Sequence, residues 1–394
     1  MPLRFHACFW LLLFSGTLRA IEPVMQPSNE RIQSVMQEFV DDAQLAGAVT
    51  LVADRDRILH LGAVGQADLA SRRAMETDSL FWIASLTKPL SAAAVMILQD
   101  EGRLSVDDPV AKHLPYFEHL TVGKERRRLD KPLTIRHLLT HTSGVASRPW
   151  PKGGDTRSLD EQAREIASLP LLFEPGSRWR YSQGLNVAGR IVEVVSGMSF
   201  ADFLRQRITD PLGMHDTTFA MTPAQEARFA MTYRLNDDTT ALIPAEHELV
   251  TPDPSLATKI TPSPSGGLYS TAADVLRFYR MLLNGGESGG TRILSADAVK
   301  AMTTIQTGEL ETGFTPGNGW GCGLCIVREP QGVTRMLSPG TFGHGGAYGT
   351  QCWVDPFKGL VYVLMIQRSD LGNTDDSPMR AAFQSSAASV FGRD

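Results

Sequence analysis

Cysteine is scarce, with four residues in a chain of 394. Four scattered thiols do not make a disulfide framework. Cys322 and Cys325 form a C-x-x-C, yet no second Cys/His pair stands at ligand spacing and no strand-to-helix turn follows. Zinc and redox chemistry are therefore not expected. Residues 320–327 read as one strand, on which positions three apart face opposite sides, so these thiols read as structural. A bridge from Cys352 to one of them stays open for an oxidising compartment. Excess charge of one sign is also missing. The net charge of −5 leaves no footprint for nucleic acid or an anionic membrane, and the basic run Lys124-Glu125-Arg126-Arg127-Arg128 reads as a solvated loop. Internal repeats and low-complexity segments are absent.

Long hydrophobic runs are lacking except at the start. Residues 7–14 (ACFWLLLF) follow Arg4 and His6, and Ala20 ends the expected cleavage site, with Leu18 and Arg19 a poor match to A-x-A. The run is too short to span a bilayer and reads as a signal peptide over residues 1–20. The expectation is an exported protein, periplasmic or secreted, with no stable membrane span after cleavage.

The remaining chain is long enough for a large core. Ile32, Val35, Met36 and Phe39 recur at helical spacing. Residues 47–53 (GAVTLVA) and 58–64 (ILHLGAV) flank a polar turn and predict a hairpin. Residues 86–102 predict a buried helix. Pro89 within it is tolerated only near a helix start, which puts that start close to Ser85. From about 105 to 250 the pattern is helical patches between Pro and Gly loops. A helix over 271–283, strands over 321–327, 351–354 and 360–366, and a last helix over about 376–390 complete the chain. Strands at both ends and helices between them predict an α/β fold of the α+β type. One antiparallel sheet, formed by both termini and flanked by helices, carries an inserted all-α lobe. The expected division is an α/β lobe over about 28–80 and 255–394, with a helical lobe over about 81–254. A cleft between lobes is a usual place for a site.

The chemistry starts at Ser85-Leu86-Thr87-Lys88, the one Ser-x-x-Lys in the chain. Residues i and i+3 share a helix face, so hydroxyl and amine can meet. A serine hydroxyl needs a base to become a nucleophile. Lysine serves when neutral, and burial lowers its pKa by favouring the uncharged form. Phe81, Trp82 and Ile83 before the motif and the Ala-rich helix after it predict such burial. A second element is Tyr181-Ser182-Gln183, whose phenol can pass a proton to a leaving group. A third is Gly343-His344-Gly345-Gly346-Ala347, where paired glycines admit close backbone approach and an N–H can help bind an oxyanion.

In this order and at these separations, the three elements resemble the serine β-lactamase and penicillin-binding protein superfamily. The most similar branch holds class C β-lactamases, D-alanyl-D-alanine carboxypeptidases, D-aminopeptidases and β-lactamase-like carboxylesterases. Residues 133–144 (LTIRHLLTHTSG), 210–214 (DPLGM) and 266–271 (GGLYST) add to the resemblance, which covers nearly the whole chain after the signal. It implies a β-lactamase/transpeptidase-like fold, acylation of Ser85, proton transfer by Lys88 and Tyr181, and an oxyanion hole from the N–H groups of Ser85 and Ala347, with Gly346 beside it. It places Gln183 and His344 against the substrate. His344 stands where many relatives have the lysine of Lys-Thr-Gly, and Gln183 where the third residue of Tyr-x-Asn is expected.

Both departures matter. Gln183 keeps the amide but adds a methylene, and His344 removes a fixed positive charge that would hold a carboxylate. The expectation is therefore a serine hydrolase of small esters or amides, esterase-like in preference. A β-lactamase or D,D-peptidase acting on a short peptide is the alternative enzyme, and a non-catalytic penicillin-binding-like sensor the alternative of another class. No cofactor and no metal are expected. His137 and His141 are spaced i, i+4 but lack the Glu of H-E-x-x-H. Gly286-Glu287-Ser288-Gly289-Gly290 fits G-x-S-x-G, but a helix ends just before it and an extended segment follows. It reads as a flexible surface loop with Ser288 non-catalytic.

Overall fold

The computed structural model describes residues 27–147, 151, 153–245 and 260–392. The proposed signal segment 1–20, with Cys8, and the lobe boundary expected near 254 lie outside the described residues. Eight strands form the main sheet: β1 (Gly47–Ala53), β2 (Ile58–Asp68), β3 (Arg73–Ala74), β4 (Asn318–Trp320), β5 (Cys325–Val327), β6 (Phe342–Gly345), β7 (Gln351–Asp355) and β8 (Leu360–Met365). Their order across the sheet is β4-β5-β6-β7-β8-β1-β2-β3, with every pair antiparallel. The two ends of the chain meet where β1 pairs with β8, Val49 opposite Met365 and Ala53 opposite Val361.

Both faces of the central strands are covered, so the strands are apolar at nearly every position. In β8, Val361, Val363 and Met365 enter one core while Leu360, Tyr362 and Leu364 enter the other, the two-residue period of a strand. Helices α1 (Pro27–Asp41) and α5 (Pro378–Phe391) cover the second face with Ile32, Met36, Met379 and Phe383. On the first face lies a larger core shared by α2 (Thr87–Asp100), α3 (Gly184–Ser196) and α4 (Ala272–Leu283). Residues 87–98 of α2 are all buried, because a helix apolar on every side has no face for water. α3 ends on Gly197 at φ +75°, the left-handed C-cap that glycine accepts at least cost.

Three expectations need correction in detail. Residues 320–327 are not one strand: β4 and β5 form a hairpin around a turn with Gly323 at φ +78°. Cys322 and Cys352 lie in one core and Cys325 in the other. All three are free and buried, and burial pushes the Cys322 thiol up to about 11, which makes it unreactive. Residues 286–290 are not a bare loop, since Glu287–Ser288 pairs with Thr291–Arg292. The middle of the chain also carries short strands among its helices: Thr121–Val122 with Arg127–Arg128, and Tyr233–Leu235 with Leu242–Pro244. The basic run closes the first of these hairpins, fully exposed. Among the described residues no helix is long and apolar enough to cross a membrane.

Candidate active site

The turn before α2 is stapled from both sides. Phe81–Trp82 pairs with Tyr269–Ser270. Ile83 N donates to Leu268 O (3.0 Å), Trp82 Nε1 to Gly266 O (2.7 Å) and Gln367 Nε2 to Trp82 O (2.9 Å). These bonds hold Ala84 at φ +44°, a conformation uncommon for a residue with a side chain and frequent at functional turns. A 3₁₀ turn over Ala84–Leu86 then runs straight into α2. Ser85 therefore sits, half-buried, at the start of a buried helix.

Lys88 is one turn on and 3% exposed. Its Nζ lies 3.0 Å from Ser85 Oγ and donates to Ser265 O at 2.5 Å. Burial pulls its pKa down to about 7, because an apolar surrounding penalises the ammonium. A neutral amine here donates one N–H to Ser265 O and turns its lone pair to the Ser85 hydroxyl. Residues 263–265 are fixed by Asn186 of α3, whose Oδ1 accepts from Ser265 N (3.0 Å) and Ser263 Oγ (3.3 Å). Asn186 lies five residues after Tyr181 in the chain, and its task shows only once the fold brings residues 263–265 against it.

Tyr181 stands beside both Ser85 and Lys88. Its phenol hydrogen-bonds Ser85, and burial raises its pKa well above the ordinary value, so it holds its proton at neutral pH. Lys88 Nζ is 4.6 Å from its ring centroid. His141 stacks on the same ring at 4.4 Å, its backbone at φ +60°. His141 Nδ1 accepts the Ser182 N–H at 3.2 Å, so its proton sits on Nε2. His344, on β6, is opposite: its Nδ1 donates to Gly345 O at 2.7 Å, leaving Nε2 as a bare acceptor. Burial, with Lys88 nearby, lowers the pKa of His344 to about 3 and that of His141 well below its ordinary value. Both imidazoles are neutral. In the sequence His141 is one half of an i, i+4 histidine pair; the fold sets its ring against the phenol.

The end of β6 packs over the turn carrying Ser85. A Cβ on Gly346 would fall 2.6 Å from Ile83 O and 2.1 Å from Thr350 Oγ1, so only glycine permits this approach. Thr350 Oγ1 donates to Ile83 O (3.3 Å), and Gly346 N to Thr350 O (2.7 Å). The next residue, Ala347, is exposed at the tip of this turn. Gln183 forms the N-cap of α3, half-buried. His137 is not part of the centre: its Nδ1 accepts from Thr134 N at 3.1 Å, closing a helix start.

An antiparallel sheet with helices on both faces, and a serine hydroxyl within reach of a buried amine whose pKa is brought down to about 7, define a serine hydrolase of the penicillin-recognising class. The family model described as Beta-lactamase matches residues 32–385, and the chain belongs to that family. It is 34% identical over 361 residues to Protein Rv1367c of Mycobacterium tuberculosis (strain ATCC 25618 / H37Rv), covering 85% of this chain and 89% of that one. Esterase EstB of Burkholderia gladioli is also 34% identical, over 364 residues, with the same coverage. Among solved structures, EstCE1, described as a hydrolase with promiscuous acyltransferase activity, superposes with a TM-score of 0.78 at 26% identity, over 93% of this chain and 98% of that one. The LovD6 mutant of simvastatin synthase (LovD) from Aspergillus terreus shares the fold, with a TM-score of 0.73 at 21% identity over 92% and 95% of the two chains.

Proposed function

We propose that this protein hydrolyses small esters through an acyl-enzyme on Ser85. The observation that carries the reading is the 3.0 Å separation of Ser85 Oγ from an amine whose pKa burial brings to about 7. Ser85 Oγ attacks the ester carbonyl carbon while its proton passes to Lys88 Nζ. The carbonyl oxygen becomes an oxyanion, received by the N–H groups of Ser85 and Ala347. Collapse breaks the bond to the alcohol oxygen, which takes its proton from Lys88 by way of the Tyr181 phenol. Water then attacks the acyl carbon, passing a proton to Lys88 and Tyr181; the bond from that carbon to Ser85 Oγ breaks, the proton returns to Ser85 Oγ, and the acid leaves.

Ester rather than β-lactam or D-Ala-D-Ala chemistry is favoured by His344. A β-lactam or peptide terminus brings a carboxylate, which a fixed cation would hold, and His344 offers a neutral ring with a bare acceptor nitrogen. The printed description of EstB as an esterase supports the same choice. Gln183 and Gly346 line the approach in this reading. Export is proposed too, on the apolar run at residues 7–14.

Parallel assays with p-nitrophenyl acetate and butyrate, nitrocefin and a D-Ala-D-Ala peptide test the choice. Ester turnover that Ser85→Ala abolishes is expected. Nitrocefin turnover more efficient than any ester would overturn it.

A further inference from the structure

Phe314 is left without a task by this chemistry. It is 45% exposed, and its backbone stands at φ +78°, an outlier for a bulky residue. Such strain survives only where the surroundings enforce it, and it gathers at ligand clamps. Here the side-chain amide of Asn373 donates to Phe314 O. The ring meets Tyr181 edge-on, centroids 4.9 Å apart and planes at 75°, and Trp179 edge-on at 5.9 Å and 89°. Trp179 in turn leans on the buried Trp320 at 5.4 Å. Phe314 and Trp179 thus extend the surface of the Tyr181 ring outward, and the outer end of that wall faces solvent. An apolar ring held exposed at the cost of a strained backbone, in contact with a residue that touches the nucleophile, fits a ligand better than it fits the core.

The direction of proton transfer says which part of a substrate meets the wall. In the proposed reaction Tyr181 hands a proton to the leaving oxygen, so the substituent on that oxygen departs along the Tyr181 side. We propose that Phe314 and Trp179 form a subsite for the alcohol part of the ester, selecting flat aromatic alcohols over small aliphatic ones. The inference rests on the ester-hydrolase reading and adds the class of alcohol to it. Edge-to-face contact with a planar ring is the geometry that aromatic walls favour.

The test compares 1-naphthyl acetate with ethyl acetate in the full chain. Phe314→Ala should lower the ratio of their kcat/KM values about tenfold relative to the unaltered protein, the size of effect that lost apolar pocket contacts produce. Phe314→Tyr, which keeps a ring, should restore the ratio. An equal fall for both esters would overturn the subsite, and so would a shift confined to a series that varies only the acyl group. Binding of 1-naphthol to the Ser85→Ala protein, by calorimetry, reads the subsite without chemistry and should weaken about tenfold with Phe314→Ala. Binding that ignores the substitution overturns the subsite alone. Intact naphthol binding with no turnover of any ester overturns the reading of the centre instead.

Discussion

Two serines in this chain sit in sequences that can mark a nucleophile, and their surroundings differ in every respect that matters. Ser288 lies in Gly286-Glu287-Ser288-Gly289-Gly290, on a two-residue strand paired with Thr291–Arg292. The neighbouring side chains are an ion pair, Glu287 with Arg292, and among the described residues no lysine or histidine hydrogen-bonds the hydroxyl. Ser85 is held by a strained turn at the mouth of a helix buried over residues 87–98, 3.0 Å from Lys88. The difference teaches that activation is a property of the amine's surroundings. A lysine at the same spacing on a wet surface would keep its proton and could take none.

The largest effects should separate the two serines outright. Ser85→Ala and Lys88→Met should each lower ester kcat/KM by about 10³-fold or more, and the double variant should be no worse than either, since the pair acts as a unit. Steady-state kinetics on p-nitrophenyl butyrate reads this. Tyr181→Phe removes the phenol proton and keeps the ring, so a loss of about 10²-fold is expected, with Trp179 and His141 still packed on the ring.

A smaller effect sharpens the claim about burial. The rate should rise with pH through a single limb centred near 7, where Lys88 loses its proton. His344 is not the source of that limb, because its pKa of about 3 leaves it neutral throughout. The same shift sets stability. Lys88 binds its proton less tightly folded than unfolded, so between about 7 and 10 the unfolded chain holds more protons and stability rises with pH. Lys88→Met should flatten that rise and raise Tm at pH 7 by a few degrees, measured by thermal unfolding across pH. Last and smallest, Ser288→Ala should leave the kinetics unchanged.

Much of this was legible in the residues. The sheet that joins both termini followed from strands at the two ends, and the helix start at Ser85 followed from Pro89, which a helix accepts only in its first turn. The elements Ser85–Lys88, Tyr181 and His344 were readable because spacing along a helix and close glycine approach are local properties. What escaped was non-local. That residues 320–327 fold back as a hairpin depends on Gly323 at φ +78° against α2. Asn186 gains its task from a loop some 80 residues away, and Phe314 gains its exposure from backbone strain that composition does not encode. His141 was visible in its motif, but only packing shows its ring under Tyr181.

The account stands on an uncharged Lys88 receiving the Ser85 proton. The rate of labelling by a fluorophosphonate, followed from pH 5 to 9 and mapped by mass spectrometry, reads that step alone. A single adduct on Ser85, forming at a rate that climbs to a plateau through pH about 7 and vanishing in Lys88→Met, is the expected result. An adduct on another residue, or labelling of Lys88→Met at the unaltered rate, would contradict it.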